Sequence, residues 1–473
     1  MKNLSEFMDL NDDCFLELFK YLSAEELIAL KLTNKRLYHL TDYYFYSVYE
    51  LKERAVILKG IDGCKLRNIL VHCGKFIRNL VIDSPRGYSD MNDINDNCDQ
   101  IESGTYIGEL IGNYCSDKLH TLRLCSVYLS GFSSIPHGVL KNLKRMEMVR
   151  CCGNVDEILS HCQNITELIQ RNCGFITKSE QHYLLVNDHT PLESLFIQND
   201  YQSDLEPEIL INFFHNKRNI KKFHYLNRVS PAPTFLLSAI VESINTIEEL
   251  CIELDTFSQN FSSDLAALAQ LDHLKRLEFN TDEIAVESFV NDLTMKNHLE
   301  CFGASDICLS ASLCNSMIRL TNLKVLKLIA PLRLFEEFFK IVSHHLVHLE
   351  EIYLVQCTDI FFGDLMSFVE NLFKLRVLYL YENEYVNWNE DDGYSQFTID
   401  FVQLFKIRSN MVTASPINIL FDKNAMQRIE ESIWPHEFEW CTKNSVLRLA
   451  LADDEIVNQI PGFNPKQNDE LSS

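Results

Sequence analysis

The sequence predicts an α/β solenoid, with parallel strands on its inner side and helices on its outer side, preceded by a small all-α module. Three observations predict it. A short apolar pattern recurs at a nearly constant period over most of the chain, the segments between recurrences have helical spacing, and residues 10–38 write two or three short helices ahead of the first clear recurrence. With 473 residues, 46% of them hydrophobic and 23% charged, the chain has the make-up of a folded protein long enough for a repeat array.

The recurring pattern is L-x-x-L-x-L. Clear copies are Leu119/Leu122/Leu124, Leu143/Met146/Met148, Leu192/Leu195/Ile197, Ile247/Leu250/Ile252, Leu274/Leu277/Phe279, Leu323/Leu326/Leu328, Leu349/Ile352/Leu354 and Leu375/Leu378/Leu380, and weaker ones begin at Ile77, Ile165, Ile220 and Leu299. From Leu119 the steps average about 26 residues. The second and third apolar residues of each copy are two apart, so on a strand both face the interior. Helical spacing returns between copies, as in 261–271, 285–293 and 334–342. Narrow strands backed by wider helices force a stack to curve into a horseshoe.

Residues of about 70–385 thus resemble the leucine-rich-repeat family. That family often places Cys or Asn eight residues after each start, where the side chain serves backbone groups of the turn; Cys151, Cys173, Cys357 and Asn383 match, and Asp200, Asp255 and Asp282 suit the same work. Val127, Arg228, Ile307 and Pro331 depart from the pattern.

The N-terminal module opens at Asn11, whose amide side chain suits a helix cap ahead of Asp12 and Asp13. Ser23 with Glu26 forms a capping box for the next helix. Phe15, Leu18, Phe19, Leu22, Leu27, Leu30 and Leu37 exceed what a bundle of about 35 residues hides within itself, so part of this surface calls for a partner. The stretch Leu10-Asn11-Asp12-Asp13, the pair Tyr21-Leu22 and the closing Lys35-Arg36-Leu37 resemble the F-box, with Asn11 for its proline, Asp13 for its glutamate and Leu37 for its tryptophan. The expected organisation is an F-box-like module over 5–48, repeats over 49–385 with an acidic insertion at about 83–105, a C-terminal cap over 386–460 containing a strand at Ile417–Phe421 and the tryptophans Trp388, Trp434 and Trp440, and a polar tail over 461–473.

The resemblance to F-box/leucine-rich-repeat proteins implies a non-catalytic substrate receptor of an SCF-type (cullin-RING) ubiquitin ligase. A Skp-type adaptor, and through it cullin and RING subunits, would engage Leu10, Asn11, Phe15, Leu18, Phe19, Leu22, Leu27, Leu30 and Leu37, and the repeats would hold a target protein. The alternative is an interaction scaffold or inhibitor outside any ligase. On a horseshoe, the third, fifth and seventh residues of each copy face the concave side. In the early and middle copies these give a mixed-charge surface including Arg123, Arg145, Glu147, Glu167, Arg171, Glu249, Arg276 and Glu278, suited to steering a polar partner. In the late copies Lys327, Ile329, Tyr353, Val355, Val377, Tyr379 and Tyr381 are expected to form an exposed aromatic strip that binds the target.

Other chemistry finds little support. The formal charge of −24 repels phosphate backbones and anionic lipid, so neither nucleic acid nor membrane is an expected partner. The first residues lack an apolar signal core and no run is long enough to span a bilayer, so the chain is expected in the cytosol or nucleus. No C-x-x-C pair occurs among the sixteen cysteines, which read as small buried hydrophobes. Asp93 to Asn97 imitates the opening of a calcium loop, but Cys98 and Gly104 occupy the positions that need glycine and glutamate. His344 and His348, expected four apart on one helix, lack a third ligand, and no phosphate-cradling or nucleophile motif is present. No cofactor is expected.

Overall fold

The structure is a computed structural model that describes residues 9–60, 63–84, 97–129, 135, 137–153, 155–159, 161–173, 191–199, 207–227, 235–243, 245–253, 261–280, 286–294, 298–331, 333–334, 337–357, 360, 362–381, 407–411, 414–421, 423, 427 and 447–451. The chain forms two compact units, Met1–Leu205 and Glu206–Ser473.

The first unit opens with helices α1 (Asp12–Phe19), α2 (Ala24–Lys31) and α3 (Lys35–Phe45), the last continued by a π-helical turn over Tyr46–Leu51. Their starts are those the sequence specifies. Asn11 Oδ1 accepts from the Cys14 N–H at 2.8 Å, and Ser23 and Glu26 close a reciprocal capping box. The strands are β1 (Val56–Lys59), β2 (Asn79–Asp83), β3 (Thr121–Cys125), β4 (Arg145–Val149), β5 (Glu167–Arg171) and β6 (Ser194–Asn199), each parallel to the next. Helix α4 (Gly63–Cys73) separates β1 from β2, and α5 (Asn97–Tyr114) separates β2 from β3. Helix therefore takes over from residue 97 of the expected insertion; residues 85–96 lie outside the described residues. Strand β1 is an added copy: Val56 and Leu58 face inward, but its first position is Glu53, which hides it from an apolar search.

The second unit repeats the scheme with β7 (Lys222–Asn227), β8 (Glu249–Ile252), β9 (Arg276–Asn280), β10 (Cys301–Ser305), β12 (Val325–Ile329), β14 (Glu351–Val355), β15 (Val377–Tyr381), β16 (Ile417–Phe421) and β17 (Leu447–Leu451), again all parallel. The two-residue strands β11 (Cys308–Leu309) and β13 (Arg333–Leu334) pair separately. Helices Phe261–Leu268 and Val286–Thr294 stand where helical spacing places them; Phe338–His345 starts four residues later than the expected 334–342, because Leu334 belongs to β13. The last ends before His348, so His344 and His348 do not share a helix; His348 Nδ1 instead meets Lys374 Nζ at 2.9 Å. Trp388, Trp434, Trp440, Asn383, Asp200, Asp255, Asp282 and Arg228 lie outside the described residues.

Three devices hold successive repeats together. Each start leucine or isoleucine and its two partners are buried, forming the apolar column between sheet and helices. After the strand, Gly60, Ser126, Arg150, Asn172, Asp306, Ala330 and Gln356 adopt left-handed backbone, with φ of 42–61°, and each N–H reaches a carbonyl at the end of the following strand at 2.7–3.0 Å, the last one in six cases and that of Gln198, last but one in β6, for Asn172. The next residue in three repeats is the cysteine expected to serve the turn. Cys151, Cys173 and Cys357 direct their thiols at the carbonyls of Leu124, Met148 and Leu328 in the preceding strand, and burial pushes the Cys151 and Cys357 thiols far up. At the variant positions the apolar Val127 and Ile307 are simply buried.

The third device is ionic and belongs to the second unit. The residue after each start runs Lys221, Glu248, Lys275, Glu300, Lys324, Glu350, Arg376, alternating in sign through seven successive repeats. Lys275–Glu248, Lys324–Glu300 and Arg376–Glu350 pair at 2.7–2.8 Å, and each residue from Glu248 onward donates its N–H to the carbonyl of the one before.

Candidate functional site

The three N-terminal helices pack on an aromatic core. Phe15, Phe19, Leu27 and Leu37 are buried; the Phe15 and Phe19 rings lie 6.2 Å apart, and Tyr44 meets Phe19 edge-on at 5.7 Å. These four residues, expected on the adaptor-binding surface, therefore form the inside of the module. Phe15 and Phe19, four apart, share the inward face of α1; Leu18, three after Phe15, stands at the edge of that face and is partly open, and Tyr21 lies beyond the end of the helix. Leu18 is 43% exposed, Tyr21 84% and Leu32 65%, whereas Leu10, Leu22 and Leu30 are half-buried and Asn11 is an exposed cap. Large apolar side chains thus do reach solvent, and Leu32, to which the sequence reading assigns no role, is among them.

Arg36 closes the module. Its Nε and terminal nitrogen reach Asp12 Oδ1 at 3.0 and 2.6 Å, and it donates to the Leu10 carbonyl at 2.7 Å. The start of α1 is thereby pinned to α3. A second, buried link runs from the module to the first repeat. Lys31 Nζ lies 2.5 Å from Asp42 and donates to the His72 carbonyl of α4, while Lys75 joins the same carboxylate at 3.2 Å. Burial alone would raise the Asp42 pKa, but hydrogen bonds from both lysines leave it below the ordinary value. Two helices of the module, α2 and α3, and the first array helix are fastened to one another by this cluster.

On the sheet face of the second unit, the seven late residues behave differently from expectation. Ile329, Tyr353, Val355, Tyr379 and Tyr381 form a buried cluster, Lys327 is buried, and Val377 is partly so; the exposed aromatic strip is not present. Register explains why. Tyr353 faces Tyr379 and Val355 faces Tyr381 across one strand spacing, with ring centres 5.3 Å apart for Tyr353–Tyr379 and 6.1 Å for Tyr379–Tyr381, so the rings cover one another. Lys327 Nζ lies 5.1 Å from the Tyr353 ring centre, and Tyr353 donates to Glu351 at 2.9 Å.

Next to this cluster lies a charged bridge that skips a strand. Glu278 on β9 and Lys327 on β12 are both in register with Gly303 on the strand between them. Because Gly303 has no side chain, Glu278 Oε1 reaches Lys327 Nζ at 2.9 Å over it, and Arg276 joins at 2.6 Å. Burial raises the Glu278 pKa, but the two cations override it and hold the carboxyl at about 2. Glu249 is also held at about 2, by its hydrogen bond from His224 and then by Lys222.

On the sheet face of the first unit, Glu147 is buried beneath Arg123, Arg145 and Arg171, all within 4.0 Å of its carboxylate. Among the described residues, no group of three His, Cys, Asp or Glu side chains is placed to hold a metal ion, and no helix is long and apolar enough to cross a membrane.

The family model described as F-box domain matches residues 7–44. No curated protein matches the chain in sequence. Among solved structures, the yeast Rad7–Elc1 complex is similar at 14% identity and a TM-score of 0.38, covering 99% of this chain and 96% of that one. An internalin from Listeria monocytogenes gives 13%, 0.35, 74% and 92%, and a leucine-rich-repeat protein of Leptospira interrogans 14%, 0.29, 69% and 93%.

Proposed function

We propose, from the premise that this chain is an F-box protein with a leucine-rich-repeat array, that it is the substrate receptor of an SCF-type ubiquitin ligase. The observation that carries the reading is the F-box match over residues 7–44, coinciding with a helical module that closes its aromatic core and still leaves Leu18, Tyr21 and Leu32 in solvent. A Skp-type adaptor would cover those side chains and bring cullin and RING subunits with it, in the cytosol or nucleus. The repeats would hold a target protein. Catalysis would rest with other subunits; this chain would contribute proximity, raising the effective concentration of target lysines near the charged ubiquitin carrier. The Lys31–Asp42–Lys75 cluster supports that role, because proximity has value only if the adaptor-binding helices hold a fixed orientation to the first repeat.

The test is direct binding to a purified Skp-type adaptor. The chain should bind it, and Leu18→Asp with Leu32→Asp should weaken binding at least about a hundredfold while leaving the melting temperature in place, since both side chains lie outside the core. A chain that fails to bind the adaptor would leave the scaffold reading in its place. Retention of full affinity by the double variant would mean that the docking face is elsewhere on the module.

A further inference from the structure

The sheet of the first unit begins with a strand that has a neighbour on one side only. Strand β1 pairs with β2, and among the described residues no strand lies along its other edge. Register tells which of its polar groups are left over. The first residues of β3, β4 and β5, Thr121, Arg145 and Glu167, each donate their N–H back to the carbonyl just ahead of the preceding strand, and the Cys125 and Val149 carbonyls accept from the residue just after it. The first, third and fifth positions of a strand thus turn their N–H and C=O groups toward the strand before. On β1, Ile57 and Lys59 stand in the rows of the third and fifth positions, so their N–H and C=O groups point to where a preceding strand would be. Ile57 is 58% exposed, and Val81 beside it is half-buried, whereas the same row continues with Arg123 and Glu147; the sheet face turns apolar at this edge. Lys52, Arg54 and Lys59, all exposed, flank Ile57 and make no ion pair among the described residues. The carboxylates nearest in sequence and register are Glu53, which pairs with Arg78 at 3.0 Å, and Asp83, opposite Lys59.

We propose that the outer edge of β1 takes up an extended, acidic segment of another protein as an additional strand, with an apolar side chain of that segment seated on Ile57. The inference stands on the edge of the sheet and does not rest on the ligase reading. An unpaired edge offers backbone hydrogen bonds to any extended chain, and the side chains around it decide which chain is accepted. Here those side chains are three cations and one carboxylate, Glu53, over residues 52–59, in a chain of net charge −24. A lysine on a short edge strand discourages pairing with a chance neighbour; the same cations favour a segment that carries acids on either side of an apolar residue. A second copy of this chain is the poorer occupant, because joining two β1 edges brings both sets of cations together.

Hydrogen exchange resolved to single amides and fluorescence anisotropy on the full chain test this, with the labelled probe peptide Glu-Asp-Val-Thr-Ile-Thr-Val-Asp-Glu. In the free chain the Ile57 and Lys59 amides should exchange about a hundredfold or more faster than that of Leu58, which turns toward β2. The probe should bind, slow both amides, and bind about tenfold or more tightly than a counterpart with lysine in place of each acid. Lys52→Glu with Arg54→Glu, both exposed, should weaken probe binding about tenfold or more and leave the melting temperature in place. Ile57→Pro, which removes an outward N–H and no bond to β2, should abolish binding. Failure of the probe to bind, slow exchange of Ile57 and Lys59 in the free chain, equal affinity for the two peptides, or full binding by both variants would each overturn the proposal. So would a dimer of the free chain that protects the same amides, or displacement of the probe by a purified Skp-type adaptor, since each would give the edge a different occupant.

Discussion

Replacing Gly303 with alanine should destabilise the chain, although glycine-to-alanine changes at compatible backbone sites usually stabilise by about 0.4–1 kcal/mol. A Cβ on Gly303 would stand 2.8 Å from Glu278 Cγ, 3.3 Å from its Cβ and 3.4 Å from its carboxyl carbon. Glu278 is fully buried and has no room to swing aside. It must move away from Lys327 or push the strand. Overpacking of this kind costs about 1–3 kcal/mol. Loss of the 2.9 Å contact to Lys327 adds part of the roughly 3–5 kcal/mol expected for opening a buried pair, part only because Arg276 stays in place. The net expectation is about 2–4 kcal/mol. Urea unfolding followed by circular dichroism reads it as a lower midpoint. The double variant supplies the control: in a Glu278→Ala background Cγ and the carboxyl carbon are gone and only the 3.3 Å approach to Cβ remains, so Gly303→Ala should cost much less. A cost below about 0.5 kcal/mol in the parent, or the same cost in both backgrounds, would refute the reasoning.

Among the described residues Arg408 meets no carboxylate and donates instead to the carbonyls of Val369, Leu372, Phe373, Leu375 and Ser415, and burial lowers its pKa to about 10; Arg408→Met should leave those carbonyls unpaired and lower stability by about 2–4 kcal/mol in the same unfolding assay. Ala330→Gly and Gln356→Gly should each raise stability by about 0.5 kcal/mol, because both residues hold left-handed backbone that glycine adopts without strain; a loss of stability in both would contradict that account. Glu249 and Glu278 have folded pKa values near 2, below their ordinary 4.5, so their contribution is fully present above about pH 4.5 and disappears as pH falls toward 2; an unfolding midpoint measured across that window should fall, and Glu249→Gln should make the fall shallower.

The parts legible in the sequence are those in which periodicity and packing carry the same information. The start residues from Leu119 to Leu375, the caps at Asn11 and Ser23 and the turn cysteines Cys151, Cys173 and Cys357 all stand where pattern and local chemistry place them. The strand β1 escaped because a charged residue, Glu53, occupies its first position. The sheet face was harder. Alternation along a strand says which residues point away from the core, but not whether neighbouring strands cover them, which is why Tyr379 and Tyr381 read as open and are buried. Glu278 and Lys327 meet because Gly303, in register between them, is empty of side chain, a relation that no local window contains. In α1, periodicity alone does not separate them: Leu18 follows Phe15 by three and borders the face that Phe15 and Phe19 share, so what packs against it, not the period, decides its exposure.

The alternating row from Lys221 to Arg376 also bears on how the chain avoids assembling wrongly. Interchangeable units invite a particular mistake, in which a strand docks on its next-but-one neighbour and the intervening unit is extruded. Along this row such a slip brings carboxylate against carboxylate or cation against cation at the junction where the unit is lost. Opposite signs return only when two units are lost together, at the entropic cost of closing a loop of roughly fifty residues. The sequence of signs is a parity check written along the edge of the sheet, weak at each junction but present at every one in the row.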